Sequence, residues 1–201
     1  IVLFGANDDH IYYHYPMMLD IVVLLLDLVV AHCSSWKQYN GYEMSNDKDK
    51  KRTLIKRLDS GPVICAEGFL FEIEKRGYMA SGEFVPMVSL DHPEALENLH
   101  RDFQHAGSDI VQAFTYNGHR EKMRVINKED LLEPLNRAAL KIAKKVATNP
   151  IEGTEPNLMA GNINNSNIWK ENDSKTHLEV EKMFSEMVGW AVEEGADMLI
   201  G

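Results

Sequence analysis

The stretch PVICAEGFLFEIEKRGY, residues 62–78, indicates the fold class of this chain. A short apolar run ends at the acidic–glycine pair Glu67-Gly68, and residues 91–107 then show the apolar spacing of an amphipathic helix. A second apolar run, residues 109–115, follows that helix. Strand, turn, helix and strand in this order predict the first unit of a β/α barrel, in which functional residues lie at the carboxyl ends of the strands.

The same alternation continues to the end of the sequence. Strands are predicted at residues 62–66, 109–115 and 158–162 and from Asp197 onward, and helices start near Asp91, Pro134 and Ser174. Strands separated by helices indicate a parallel sheet with right-handed crossovers. A full barrel takes about 250 residues, so the predicted fold class is α/β, the N-terminal half of a (β/α)8 TIM barrel with four parallel strands.

The last of these helices, residues 174–194, is expected to turn one apolar face toward the sheet. Its predicted inward residues are Leu178, Met183, Phe184, Met187, Val188 and Ala191.

Composition and charge exclude some classes of partner. The chain is 44% hydrophobic and 26% charged, with a pI near 5.2 and a net charge of -10. So acidic a protein repels phosphate backbones, and nucleic acid is not an expected partner. Its two cysteines, Cys33 and Cys65, form no disulfide framework, which favours a reducing compartment and predicts a cytoplasmic location.

Residues 1–50 differ from the rest in composition and are interpreted as an N-terminal extension. Met17–Ala31 is apolar, but Asp20 and Asp27 interrupt it, and each would cost about 2.5 to 3.5 kcal/mol near a bilayer centre. A membrane span is therefore not expected. No Lys or Arg precedes Lys37, whereas a secretory signal needs a basic leading region.

Polar residues gather at the predicted carboxyl ends of the strands: Glu67-Gly68, then Gln112 to Tyr116, then residues 161–165. Loops of this kind, polar groups beside glycine or small residues, are typical of small-molecule sites. The same residues also suit helix caps and turns. The pattern alone leaves both interpretations open.

Four segments in this order resemble the homocysteine S-methyltransferase family, above all its betaine-dependent members. They are the strand-1 turn, Glu-Lys-Arg-Gly-Tyr at 74–78, His-Pro-Glu-Ala at 92–95 and Gln-Ala-Phe-Thr at 112–115. The resemblance runs from about residue 51 to 201 and implies a partial homocysteine-binding barrel. It implies methyl transfer from an onium donor, such as betaine or S-methylmethionine, to the thiol of homocysteine, giving methionine. The implied partners are a small thiol and a methyl donor, and a homo-oligomer is a further expectation.

The resemblance assigns a substrate-binding set: Glu67, Gly68, Gln112, Thr115 and Asn162. In the family an Asp-Gly pair at the end of strand 1 holds the amino and carboxylate groups of homocysteine. This chain has Ala66 and Glu67 at the matching positions, followed by Gly68. We expect Glu67 to supply the missing carboxylate, although adjacent strand residues point to opposite faces.

A methyl-donor pocket is implied at Phe84, Tyr116 and Asn117. Betaine-dependent members enclose the quaternary ammonium with aromatic rings, whose negative faces attract a cation. Phe84 stands at the position of a family Trp, and Asn117 at that of a family Tyr. A weaker or different donor site is therefore expected.

The family also implies zinc, held by three cysteine thiolates on later strands, beyond residue 201. Cys65 is interpreted instead as a small buried strand residue. The chain is thus expected to be a fragment, inactive by itself and without a stoichiometric zinc site, and no residue is assigned a catalytic role. A non-catalytic relative acting as a binding or scaffold module is the alternative, and another β/α-barrel enzyme is a third interpretation.

Overall fold

A computed structural model describes residues 52–201. Predictions about residues 1–50 and Cys33 lie outside the described residues. The elements in chain order are α1 (Leu54–Leu58), α2 (Phe69–Lys75), α3 (Val88–Asp91), α4 (Pro93–His105), β1 (Ile110–Gln112), α5 (Arg120–Val125), a 3-10 turn (Glu129–Leu131), α6 (Leu132–Ala147), β2 (Leu158–Asn162), α7 (Ser174–Glu193) and β3 (Met198–Ile200). Within this part of the chain, no helix has the length and apolar character needed to span a bilayer.

The sheet is parallel, as predicted. Its order is β1-β2-β3, with Gln112 opposite Ala160 and Asn162 opposite Ile200. Parallel neighbours run in the same direction, so the polar last residues of β1 and β2, Gln112 and Asn162, lie at the same edge of the sheet. That edge is where the sequence placed the functional residues.

The predicted first strand, residues 62–66, does not form a fourth strand of the described sheet. A single parallel bridge joins Cys65 to Ile110. Side chains occupy the neighbouring ladder positions: Ile64 N donates to the Asp109 carboxylate at 2.8 Å, and Ala66 N donates to Ser108 Oγ at 3.1 Å. Backbone pairing between these segments includes Ile64 O, which accepts from Asp109 N at 2.7 Å and from Ile110 N at 3.1 Å. The described sheet therefore has three strands and a bridge instead of the four predicted strands.

Strand β1 is shorter than the predicted range of residues 109–115. Ala113 N still donates to Ala160 O at 2.8 Å, but Thr115 N donates back to Ala113 O at 2.8 Å, and this turn ends the strand. All residues from Ile110 to Thr115 are buried, whereas Asp109 before them is half-buried and Tyr116 after them is exposed. The apolar run therefore predicts the buried residues correctly, but the strand ends at Gln112, three residues before the predicted end.

Each long helix buries one face against its neighbours. Helix α4 starts with Pro93, which suits a first helical position because no intrahelical bond needs its missing N–H. Helix α7 is capped by Asp173, whose carboxylate accepts from Lys175 N at 3.1 Å. Core residues from α6, α7 and the sheet form one cluster: Val111, Ala113, Leu140, Ala143, Val146, Ala147, Met159 and Ala191.

The prediction that Leu178 faces inward is wrong, since its side chain is 57% exposed. The buried face of α7 contains Val180, Met183, Phe184, Met187, Val188 and Ala191. Leu178 lies two residues before Val180, about 200° around a helix of 3.6 residues per turn, and so points away from the sheet.

Candidate functional site at the carboxyl edge of the sheet

The strand-1 turn lies beside the end of β1. The Cys65 thiol donates to Gln112 Oε1 at 3.6 Å, a weak contact between the two segments. Glu67 follows two residues later and is exposed, whereas the Gln112 side chain is almost completely buried. The structure thus brings Glu67, Gly68 and Gln112, three of the predicted substrate-binding residues, to one edge.

Gly68 is the residue that allows the chain to turn from this edge into α2. Its φ of 90° lies in the left-handed region, and it occupies the N-cap position of the helix. A side chain would be strained there. The acidic residue and the glycine of the predicted turn therefore have separate roles: Glu67 presents a carboxylate and Gly68 sets the backbone.

Thr115 and Asn162 connect the ends of β1 and β2. The Thr115 hydroxyl donates to Asn162 O at 2.6 Å, and the Thr115 side chain is 2% exposed. The small gap between this pair and helices α6 and α7 has no room for a water molecule. Thr115 therefore stabilises the edge, and its hydroxyl is already bonded to the main chain.

Asn162 has one polar atom left over. Its Nδ2 donates to Ile200 O at 3.5 Å, but its Oδ1 is buried and has no hydrogen-bond partner among residues 52–201. A buried acceptor without a partner costs about 1 to 3 kcal/mol. It marks a position where a donor from a ligand would be stabilised.

The predicted donor-pocket residues lie on adjoining loops. Asn117 has a φ of 59°, donates from Nδ2 to Phe84 O at 2.9 Å and accepts at Oδ1 from Asn164 Nδ2 at 2.7 Å. Both ends of its amide are therefore occupied. Tyr116 is 43% exposed, so of the three predicted residues only Tyr116 presents an open ring to solvent.

Sequence reasoning missed His119 and Lys122, which follow these residues on the same turn and on α5. His119 is completely buried, and neither ring nitrogen has a partner among the described residues. Burial, together with the nearby Lys122 charge, lowers the pKa of His119 to about 4. The Lys122 ammonium lies 5.0 Å from the centre of the Phe84 ring. No local periodicity links positions 84 and 122, so the pattern contained no signal for this contact.

The described residues do not fit the zinc site that the resemblance implies. Burial, and to a smaller extent the neighbouring Glu67 carboxylate, raises the pKa of the Cys65 thiol to about 11, so this sulfur is a protonated thiol at neutral pH. A metal ligand must be a thiolate. Across residues 52–201, no group of three or more His, Cys, Asp and Glu side chains is arranged to hold a metal ion.

A separate cavity of about 390 Å³ contains none of the predicted site residues. It is lined by residues from the end of α2, from α3 and from the α5–α6 connection, among them Tyr78, Glu83, His92 and Lys128. We place the candidate site at the edge instead, because the convergent polar groups are there and the cavity lining is mostly exposed.

Comparison with known proteins identifies the family. Residues 64–201 match the model of the homocysteine S-methyltransferase family. The chain belongs to this family. It is 34% identical over 159 residues to betaine–homocysteine S-methyltransferase 1 of Sus scrofa, covering 77% of this chain and 55% of the relative. The predicted family, and the similarity to its betaine-dependent members, are confirmed.

Other homocysteine S-methyltransferases show the same partial coverage. S-methylmethionine–homocysteine S-methyltransferase of Pongo abelii is 34% identical over 151 residues, 75% of this chain and 38% of the relative. The metallated crystal structure of the homocysteine methyltransferase MmuM from Escherichia coli superimposes with a TM-score of 0.59 at 19% identity, covering 73% of this chain and 55% of that one. This likeness supports the fold. The chain spans about half the length, or less, of these family members.

Proposed function

We propose that this chain forms the N-terminal half of a β/α barrel that transfers a methyl group from an onium donor to the thiol of homocysteine. The observation that carries the proposal is the parallel register, which gathers the Glu67-Gly68 turn, Gln112 and Asn162 at one edge in a member of this family. Relatives are named for homocysteine together with betaine or S-methylmethionine. Three strands and a bridge cover part of a barrel, and further strands would close it.

The edge is suited to the amino-acid end of homocysteine. An exposed carboxylate at Glu67 and an unpartnered amide oxygen at Asn162 both favour a group that carries positive charge and N–H donors. The α-ammonium of homocysteine has these properties. Gln112 lies between the two in the sheet order and supports the turn through Cys65.

Thiolate formation is not assigned to residues 52–201. A thiol with an ordinary pKa of about 8.5 is mostly protonated at neutral pH, and the zinc implied by the family would stabilise the thiolate. The described residues supply no ligand set for that ion. The role proposed for this chain is therefore to bind and orient the two small-molecule substrates.

Replacing Glu67 by Gln is expected to weaken homocysteine binding by about 10- to 150-fold. The variant keeps the side-chain shape but loses a charge-assisted hydrogen bond, worth about 1.5 to 3 kcal/mol. Isothermal titration calorimetry of homocysteine into the whole protein and into its Glu67→Gln variant measures this difference.

A matched control is Glu179→Gln, on the exposed side of α7, which makes the same chemical change and should leave homocysteine affinity unchanged. Equal affinities of the wild type and Glu67→Gln would reject the assignment of this carboxylate. Absence of homocysteine binding by the wild type would reject the proposed function itself.

A non-catalytic binding module is the second candidate function. It is favoured by the altered strand-1 turn, where Ala66 and Glu67 replace the family pair, and by the Lys122 ammonium over Phe84. Methionine formation from homocysteine and either donor, assayed with the whole protein, separates the two functions. Binding without turnover would support the module, and turnover would support the enzyme.

The remaining expectations follow the same proposal. The partners are a small thiol and a methyl donor, and the net charge of -10 disfavours nucleic acid. A cytoplasmic location and a homo-oligomer stay predictions.

A further inference from the structure

Two buried amide oxygens at the carboxyl edge have no hydrogen-bond partner within residues 52–201. They are Oδ1 of Asn162 and Oδ1 of Asn164. Asn162 is 8% exposed and Asn164 is half-buried. Buried polar atoms are nearly always hydrogen-bonded, because an acceptor removed from water without a donor is destabilising. Two such acceptors, two residues apart in the chain, indicate a place for a ligand with more than one N–H donor.

Strand alternation places both residues on the face of the sheet that is turned away from α6 and α7. Leu158 packs in a cluster with residues of β1, β3 and α1, whereas Met159 packs against α6 and α7. Successive strand residues point to opposite faces, so Asn162 falls on the Leu158 face. Ile163 N still donates to a main-chain oxygen of β3 at 2.9 Å, and Asn164 follows on the Leu158 face.

Two linked hydrogen bonds fix the orientation of the Asn164 amide. Asn117 Nδ2 donates to Phe84 O at 2.9 Å, and Asn164 Nδ2 donates to Asn117 Oδ1 at 2.7 Å. A main-chain oxygen can only accept, so Asn117 turns its NH₂ group toward Phe84 and its oxygen toward Asn164. Asn164 must then donate to Asn117, which leaves an acceptor, Asn164 Oδ1, at the end of the series.

The Asn162 amide is oriented in the same way. Its Nδ2 lies 3.5 Å from Ile200 O, again an atom that can only accept, so Oδ1 is turned away from β3. Two carbonyl acceptors favour a group that carries several N–H donors and no acceptor. A primary ammonium has three N–H donors and a positive charge that strengthens each hydrogen bond.

We propose that Asn164, positioned by Asn117, acts with Asn162 as a specificity-determining pair that selects ligands with a primary ammonium group. The inference deepens the proposed function and rests on it for the identity of the ligand. An α-ammonium is present in homocysteine and in an amino-acid methyl donor such as S-methylmethionine. The quaternary nitrogen of betaine has no N–H group, so the pair contributes nothing to its binding.

The test compares a ligand that has an ammonium group with its amine-free analogue, by isothermal titration calorimetry on the whole protein. L-norleucine and hexanoate differ only in this group, and neither carries a thiol or a transferable methyl group. We expect the wild type to bind norleucine more tightly than hexanoate. Asn164→Ala should reduce this ratio of affinities by about tenfold, because it removes a hydrogen bond to a charged group. A general loss of folded protein lowers both affinities and leaves their ratio unchanged.

Further variants separate the pair from its surroundings. Asn117→Gly accepts the φ of 59° without strain and should reduce the ratio less than Asn164→Ala does, since Asn164 then keeps its oxygen but loses its orientation. Asn165→Ala, at the exposed next position, is the matched control and should keep the wild-type ratio. Equal affinities of the wild type for norleucine and hexanoate overturn the proposal. An unchanged ratio in Asn164→Ala, or an equal reduction in Asn165→Ala, also overturns it.

Homocysteine and S-methylmethionine are titrated into the same samples to identify the source of the ammonium. Weaker homocysteine binding by Asn164→Ala assigns the pair to the thiol substrate, and weaker binding of S-methylmethionine alone assigns it to the donor. A norleucine preference that depends on Asn164, without homocysteine binding, would reject the proposed function and keep the pair. Homocysteine binding with an unchanged norleucine ratio in Asn164→Ala would do the reverse.

Discussion

Lowering the pH from 6.5 to 4 is expected to reduce the free energy of unfolding by on the order of 3 kcal/mol through His100 alone. His100 is completely buried in α4, its ring lies edge-on against Phe69 at 5.0 Å, and its Nε2 has no partner among the described residues. Burial lowers its pKa to about 3, despite the opposing effect of Glu97. A loss of this size is a large part of the usual stability of a domain, about 5 to 15 kcal/mol.

The loss of stability at low pH follows from the different pKa of His100 in the folded and the unfolded chain. In the unfolded chain His100 takes up a proton near its ordinary pKa of about 6.5, whereas in the folded protein it stays neutral until about pH 3. The unfolded state therefore binds more protons across this window. Stability contributed by the neutral ring is complete above pH 6.5 and decreases as the pH falls. His119, whose pKa burial lowers to about 4, acts in the same direction.

Urea unfolding of the chain at pH 7, 6, 5 and 4 measures this decrease. His100→Phe keeps a ring against Phe69 but cannot be protonated, so its stability should fall less steeply with pH than that of the wild type. His105→Gln, at an exposed position of the same helix, should follow the wild-type slope. Identical slopes for the wild type and His100→Phe would contradict the prediction.

The sequence predicted the long elements well and the short ones poorly. Residues 158–162 form β2 as predicted, and α7 ends one residue from its predicted end, because a sustained apolar period and a glycine stop are strong local signals. The predicted first strand forms only a bridge. The N–H groups of Ile64 and Ala66 donate to the side chains of Asp109 and Ser108, and an apolar pattern does not indicate such side-chain bonds. Helix α5 has only six residues, too few for a visible period.

For the site, the pattern located strand ends but not contacts between loops. Gln112 and Asn162 are at the predicted edge because both terminate strands that the alternation identified. The bonds of Asn117 to Phe84 and Asn164 span 33 and 47 residues. Such contacts depend on how the loops fold over the edge, which is a tertiary property. The same reason explains why Lys122 was missed.

The second large effect is expected at Gly161, the residue before Asn162 on β2. A Cβ atom there would meet Ala191 Cβ at 2.9 Å and Leu199 Cδ2 at 2.8 Å. The leucine end can rotate away, but Ala191 belongs to the buried face of α7 and can move only with that helix. Gly161 therefore sets the close approach of α7 to the sheet.

Gly161→Val is expected to lower the free energy of unfolding by about 1 to 3 kcal/mol, because an overpacked core forces side chains and backbone apart. For a domain of this size, that corresponds to a fall in Tm of roughly 2 to 12 °C. Gly189→Ala is the matched control: it lies on α7, a Cβ there meets nothing within 4 Å, and removing a helix glycine should raise stability by about 1 kcal/mol. Thermal unfolding followed by circular dichroism measures both.

The Gly161 variant also connects the core to the proposed site. If α7 shifts away from β2, the position of Asn162 and its unpartnered Oδ1 changes with the strand end. Homocysteine affinity of Gly161→Val should then fall at a temperature where the variant is still folded, while Gly189→Ala keeps the wild-type affinity. A Tm for Gly161→Val at or above that of the wild type would show that α7 accommodates the side chain without cost, and the close approach at Gly161 would then not control the edge.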